Sequence, residues 1–230
     1  MSRLLIADDD EFIRRGLAEL IPWDELGIEI IGAAGSGNEA FALYERHRPD
    51  IVITDIRMPD GNGLDLIRKI REKDPHAKLV VLSGYDDFEY VREAMRYQVE
   101  DYLLKPVDAE ELTEIMKTCR AELEKDMIRE RLARESFQLL RNNVLTRWAE
   151  GRIDDEMLRE KMHFLKLDLL EKPFYQAAVV AWEDQFEEPL PEKERRFRAF
   201  SILNVLSEQM EHARKGAAFL LDERHAAAVF

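Results

Sequence analysis

Hydrophobic positions in the first half of the chain fall into two alternating rhythms. Short apolar runs occur at LLIA (4–7), IEIIGAA (28–34), IVIT (51–54), LVVL (79–82) and DYLL (101–104), the length of buried strands. Between them lie segments with helical spacing. Phe12/Ile13, Leu17 and Leu20/Ile21 form one apolar stripe, and Phe88, Val91 and Met95 form another. Ser36 and Glu39 stand at capping-box spacing and open the second helix. Five strands alternating with helices predict a parallel sheet covered on both faces, a doubly wound α/β domain with right-handed crossovers. Ligands of such sheets bind beyond the carboxyl ends of the strands. The residue that closes each strand is therefore the one to inspect.

After Asp108 the rhythm changes. Residues 108–150 contain neither Gly nor Pro and read as one long charged helix. Its apolar positions include Leu112, Ile115/Met116, Cys119 and Leu123, then Ala133, Phe137, Leu140 and Val144. The two stretches follow 4/3 spacing without sharing a register, so a coiled coil here carries a stutter near 124–132. A second copy of the helix is the expected partner; the alternative is that 124–150 folds back onto the following segment. From 173 a smaller α+β pattern begins: a strand at 173–182, an amphipathic helix at 192–215, and a hairpin from 217–221 and 226–230 around a charged turn at Asp222–His225. The chain stops at Phe230 inside an apolar strand, which predicts a natural chain that continues. The expected organisation is a first domain over 1–122, a helical, coiled-coil linker over 123–170, and the start of a middle α+β domain over 171–230.

Charge narrows the functions open to this chain. Its 48 acidic and 34 basic residues give a formal charge of −14. The excess is general: residues 1–107 carry 22 acids and 14 bases, and residues 108–230 carry 26 and 20. Such a chain repels nucleic acid, and no basic patch offsets the field. Cys119 is the only cysteine, which excludes an internal disulfide and disfavours a thiolate zinc site. The N-terminus lacks the apolar stretch of a signal peptide, and no run approaches the roughly 18 apolar residues of a membrane helix. A cytoplasmic protein with no membrane partner is expected.

The strand ends concentrate the chemistry. The first closes on Asp8-Asp9-Asp10, the third on Asp55, the fourth on Ser83-Gly84 and the fifth on Lys105-Pro106. Carboxylates crowded on one rim repel unless a cation holds them. Oxygen ligands alone suit Mg²⁺, which keeps several waters. A lysine and a hydroxyl nearby supply donors for the oxygens of a transferring phosphoryl group. Asp55 is then the nucleophile, giving an acyl phosphate. Singly, each residue also has a plainer role, such as N-cap, Asx-turn or solvated strand end.

ADDDEF, TDIRMPDGNGLDL, LSGYDDFEYVREAM and VEDYLLKPVD together resemble the receiver domain of two-component response regulators, over residues 3–120. The resemblance implies a flavodoxin-like (βα)5 fold. It implies Mg²⁺ at Asp8, Asp9, Asp55 and the main-chain carbonyl of Arg57. Ser83 would bind a phosphoryl oxygen, Tyr102 would be the switch aromatic, and Lys105 would pair with the phosphate and precede a cis Pro106. The implied partner is a sensor histidine kinase, and the implied activity is acceptance of a phosphoryl group, with slow autodephosphorylation at most. IPWDELGIEIIGAAGSGNEAF is similar to regulators that end in an AraC-like helix-turn-helix, so DNA contact would belong to a C-terminal domain absent from this chain. A homodimer through the 108–150 helix or the receiver is expected. Residues 173–230 resemble, loosely, the opening half of a degenerate cyclase-like domain.

Two other readings compete. Gly35-Ser36-Gly37-Asn38-Glu39-Ala40 fits the dinucleotide-binding fingerprint locally, with Asp55 about twenty residues on. That fingerprint normally follows a sheet's first strand, and here LLIADDD precedes it. A phosphatase with an Asp nucleophile usually carries a second Asp two residues later, where this chain has Arg57. A pseudo-receiver acting only through protein contacts is the remaining alternative.

Overall fold

A computed structural model of the chain describes residues 1–84, 88–167, 169, 176–182, 191–212 and 216–229. The chain divides into two units, Met1–Arg129 and Glu130–Phe230. The first contains β1 (Ser2–Ala7), α1 (Glu11–Leu20), β2 (Ile28–Ala34), α2 (Gly37–His47), β3 (Ile51–Asp55), α3 (Gly63–Lys73), β4 (Lys78–Ser83), α4 (Phe88–Arg96) and β5 (Asp101–Leu104). The following helix, α5 (Ala109–Ala149), runs on into the second unit. The five strands are parallel in the order β2-β1-β3-β4-β5, the doubly wound arrangement expected from the alternation.

Burial on both faces explains why the strands read as continuous apolar runs. Leu5, Val52, Leu79 and Val81 face one core with α2 and α3, whereas Leu4, Ile6, Ile51, Ile53, Val80 and Leu82 face another with α1 and α5. The helix stripes are narrower than the sequence pattern predicts. On α1, Leu17 and Ile21 are buried and Ile13 packs beside them, but Phe12 is 84% exposed and Leu20 is also exposed. Ile13, Leu17 and Ile21 form a single i, i+4, i+8 row, narrower than the stripe of a fully amphipathic helix. On α4 it is Ala94, not Met95, that is buried; the Phe88 side chain lies outside the described residues. Ser36 does cap α2, accepting from Glu39 N, yet Glu39 reaches back to Gly35 N rather than to Ser36.

Leu112, Met116 and Cys119 bury α5 in the first unit, and Leu123 packs against the same core. Polar contacts fasten the same stretch. Arg120 donates to Leu26 O, and Lys78, only 11% exposed at the start of β4, pairs with Glu100 and Glu122. Farther along, Met127, Ile128, Leu132 and Leu139 are exposed.

The second unit holds α6 (Asp155–Phe164), β6 (Ala177–Ala181), α7 (Glu192–His212), β7 (Ala217–Leu220) and β8 (His225–Val229). Its sheet has the order β6-β8-β7 with both pairings antiparallel, so β6 and β7 run the same way with β8 between them. Val144 and Leu145 of α5 join Leu158, Met162, Phe219 and Val229 in its core. The predicted hairpin is β7–β8; Pro173–Tyr175 of the predicted strand, residues 213–215 of the predicted helix, and Phe230 lie outside the described residues. α7 is not amphipathic. Phe197, Phe200 and Val205 are exposed while Ala199 is buried, because its apolar residues are spread around the helix. No helix among the described residues is long and apolar enough to cross a membrane.

Lys78 offers a test of how α5 is fastened. Its hydrogen bond holds the Glu122 carboxyl below the ordinary glutamate range. A lowered carboxyl contributes stability that is complete above its unfolded pKa, about 4.3, and is lost as pH falls through the folded value. Lys78→Met should lower the unfolding free energy by about 1–2 kcal/mol at pH 7 and flatten its loss below pH ~4. Urea titrations at several pH values measure both effects.

Candidate functional site

Parallel register builds the site before any side chain is considered. Ala7 pairs with Thr54, so Asp8 and Asp55 leave adjacent strands side by side. Asp55 pairs with Leu82, and Ser83 with Leu104. The main chain of Lys105 then donates to Ser83 O at 2.8 Å. Asp8, Asp55, Ser83 and Lys105 thus gather on one rim of the sheet.

Asp55 is 8% exposed. Its Oδ1 accepts from Ile56 N at 2.7 Å, and its Oδ2 accepts from Lys105 Nζ at 3.0 Å. Asp8 is fully buried and its Oδ1 accepts from Asp10 N at 3.0 Å. Lys105 Nζ lies 2.6 Å from Asp8 Oδ2, and that buried oxygen has no other hydrogen-bond partner. Asp9 is exposed, and one oxygen from each of Asp8, Asp9 and Asp55 lies within 4.8 Å of the others.

Burial pushes the Asp8 carboxyl up, and Lys105 and the Asp10 amide offset only part of that shift. Burial also draws Lys105 down, but hydrogen bonds and charge from Asp8 and Asp55 more than compensate, and its pKa is raised. Lys105 is therefore held as a cation. Three carboxylates with one oxygen each within 4.8 Å of the others share this one ammonium, a donor set that fits a hard divalent cation with oxygen ligands.

The loop after Asp55 is fixed by close backbone approaches. A Cβ on Gly63 would lie 1.9 Å from Asp55 O, and one on Gly37 would lie 1.9 Å from Gly61 O. Gly63 N closes the turn onto Ile56 O, Asn62 caps α3, and Asn38 N donates to Asp60 O. Gly37 of the dinucleotide-like segment therefore serves packing. Gly35 N, Asn38 N and Glu39 N, donors that a pyrophosphate would require, are already given to Glu39, Asp60 and Ser36.

The remaining candidates lie around this centre. Ser83 is buried, Tyr102 is partly buried against the first core, and the Lys105–Pro106 bond is cis. Arg57 is exposed, with its guanidinium 5.4 Å from the Tyr90 ring centroid. Asp10 caps α1. Sequence reading passed over Arg14, whose Nη1 donates to Asp8 O and Asp9 O, and Thr54, whose hydroxyl donates to Asp55 O. Arg14 belongs to no quoted motif and Thr54 only opens one, and their partners are main-chain atoms that no sequence pattern marks.

Residues 4–117 match the model of the response regulator receiver domain. The transcriptional regulatory protein YesN of Bacillus subtilis, itself uncharacterised, is 38% identical over 156 residues, which are 66% of this chain and 42% of that protein. The transcriptional regulatory protein HptR of Staphylococcus aureus is 45% identical over 116 residues, 50% of this chain and 45% of that protein. The chain thus spans under half the length of these curated relatives. Among solved structures, the receiver domain of AraT, a response regulator from Geobacillus stearothermophilus, is 43% identical with a TM-score of 0.53, covering 55% of this chain and 98% of that one. A two-component transcriptional regulator AraC from Clostridium phytofermentans is 31% identical with a TM-score of 0.51, covering 54% and 97%.

Two substitutions probe this geometry. Because folding disfavours the charged form of Asp8, Asp8→Asn should raise the Tm of the metal-free protein by a few degrees and abolish any stabilisation by Mg²⁺. Gly63→Ala must displace Asp55 and should destabilise by more than about 2 kcal/mol. Thermal unfolding with chelator and with Mg²⁺ reads both.

Proposed function

This chain belongs to the response regulator receiver family, and from that premise we propose that it accepts a phosphoryl group on Asp55 from a sensor histidine kinase. The observation that carries the reading is Lys105 shared between two carboxylates at adjacent strand ends, one of them a nearly buried Asp55. A carboxylate oxygen of Asp55 attacks phosphorus, forming an acyl phosphate as the bond from phosphorus to the donor imidazole nitrogen breaks. The strand and the Ile56 amide hold the attacking group in place.

Asp8, Asp9, Asp55 and the Arg57 carbonyl would hold Mg²⁺, which neutralises charge on the phosphoryl oxygens when bound. Lys105 gives up its bond to Asp55 and pairs with a new phosphoryl oxygen, and the Ser83 hydroxyl donates to another. Tyr102, paired in register with Val81 two residues before Ser83, follows inward as the switch aromatic. The product persists because the chain offers no second Asp where a phosphatase would have one; Arg57 stands there.

Output lies farther along the chain. Relatives bear names of transcriptional regulators, and we assign DNA contact to a domain beyond Phe230, reached through α5. The exposed Met127, Ile128, Leu132 and Leu139 favour a second copy of α5 as partner, giving a homodimer. A cytoplasmic site of action follows from the kinase and DNA partners.

Incubation with acetyl phosphate and Mg²⁺, followed by intact mass measurement, tests the reaction. One added phosphoryl mass is expected, absent with chelator and in Asp55→Asn; no adduct on the wild-type chain would favour a pseudo-receiver. Lys105→Met should slow uptake by about 10²–10³-fold. Leu132→Glu should weaken self-association at least tenfold by sedimentation equilibrium, about 1.4 kcal/mol.

A further inference from the structure

We propose that Arg14, on α1, is a positioning residue for the acidic site, fixing the Asp9–Asp10 peptide so that Asp8 keeps one carboxylate oxygen turned toward the cation. This inference rests on the function proposed above. Arg14 lies one turn into α1 and is only partly buried, yet its Nη1 donates to two successive carbonyls, Asp8 O at 2.6 Å and Asp9 O at 3.1 Å.

The second bond reaches the site through one rigid plane. Asp9 C=O and Asp10 N–H belong to the same peptide unit and point in opposite directions. Arg14 holds the oxygen of that unit, and its N–H donates to Asp8 Oδ1 at 3.0 Å. With Oδ1 engaged, Oδ2 is left facing Lys105 Nζ at 2.6 Å, with no other hydrogen-bond partner. A rotation of the peptide would release Oδ1 and let the carboxylate turn. Repulsion among Asp8, Asp9 and Asp55 favours such a release whenever no cation is bound.

Calorimetric titration of the full chain with Mg²⁺ alone tests the assignment, comparing wild type with Arg14→Met and Arg14→Lys. Outer-shell groups typically alter metal affinity about 10–100-fold, and Arg14→Met should weaken Mg²⁺ binding about tenfold. Arg14→Lys, which keeps a donor for both carbonyls, should stay within about threefold of wild type. In acetyl phosphate reactions, Arg14→Met should raise the half-saturating Mg²⁺ concentration while leaving the rate at saturating Mg²⁺ near that of wild type. A merely structural role would instead lower Tm in chelator without moving the Mg²⁺ half-saturation, and that result overturns the proposal. So does equal binding by wild type and Arg14→Met; if Arg14→Met fails to fold, Arg14→Gln takes its place in the same comparison. If wild type binds no Mg²⁺, the reading of the site itself falls, and this assignment with it.

Discussion

A single ammonium group, Lys105 Nζ, faces two carboxylates that the sheet delivers to adjacent strand ends, 2.6 Å from Asp8 and 3.0 Å from Asp55. Both acids are buried or nearly so, and an unpaired carboxylate there would be costly. One ammonium cannot offset three clustered carboxylates, a deficit that a divalent metal would relieve before a phosphoryl group, itself negative, is added. The fold holds the charges close, and their repulsion is what a cation would answer.

The rest of the first unit supplies the rigidity this arrangement demands. Strands buried on both faces cannot slip without turning every side chain into the wrong core, so register fixes Asp8 beside Asp55 and Lys105 beside Ser83. The turn after Asp55 is locked by Gly37 and Gly63, where a Cβ would lie 1.9 Å from a main-chain oxygen, and by Gly61 at a φ of +102°. Arg14 reaches the same centre from α1 through carbonyl oxygens. Three elements thus converge on one short stretch of chain, and each acts through main-chain atoms.

That distinction explains what the sequence disclosed. Apolar runs closing on Asp8, Asp55, Ser83 and Lys105 were legible because strand burial leaves an unbroken pattern and polar residues at its end are conspicuous. Phe12, Leu20 and Met95 carried helical spacing but are exposed, since periodicity marks a face without saying how much of it a neighbour covers. The Gly35–Ala40 segment mimicked a nucleotide loop because close backbone approach needs glycine whatever the partner is. In the second unit, small residues such as Ala199, Ala218 and Ala228 are buried while Phe197 and Phe200 are not. A pattern built on large apolar residues misplaces such a helix face.

The central claim is that Asp55, and no other group of the cluster, carries the phosphoryl group. After reaction with acetyl phosphate and Mg²⁺, borohydride reduction converts an aspartyl phosphate to homoserine, and peptide mapping locates the converted residue. The account predicts homoserine at position 55 alone, dependent on Mg²⁺. Conversion at Asp8 or Asp9, or phosphate retained on a group that borohydride leaves intact, would contradict it.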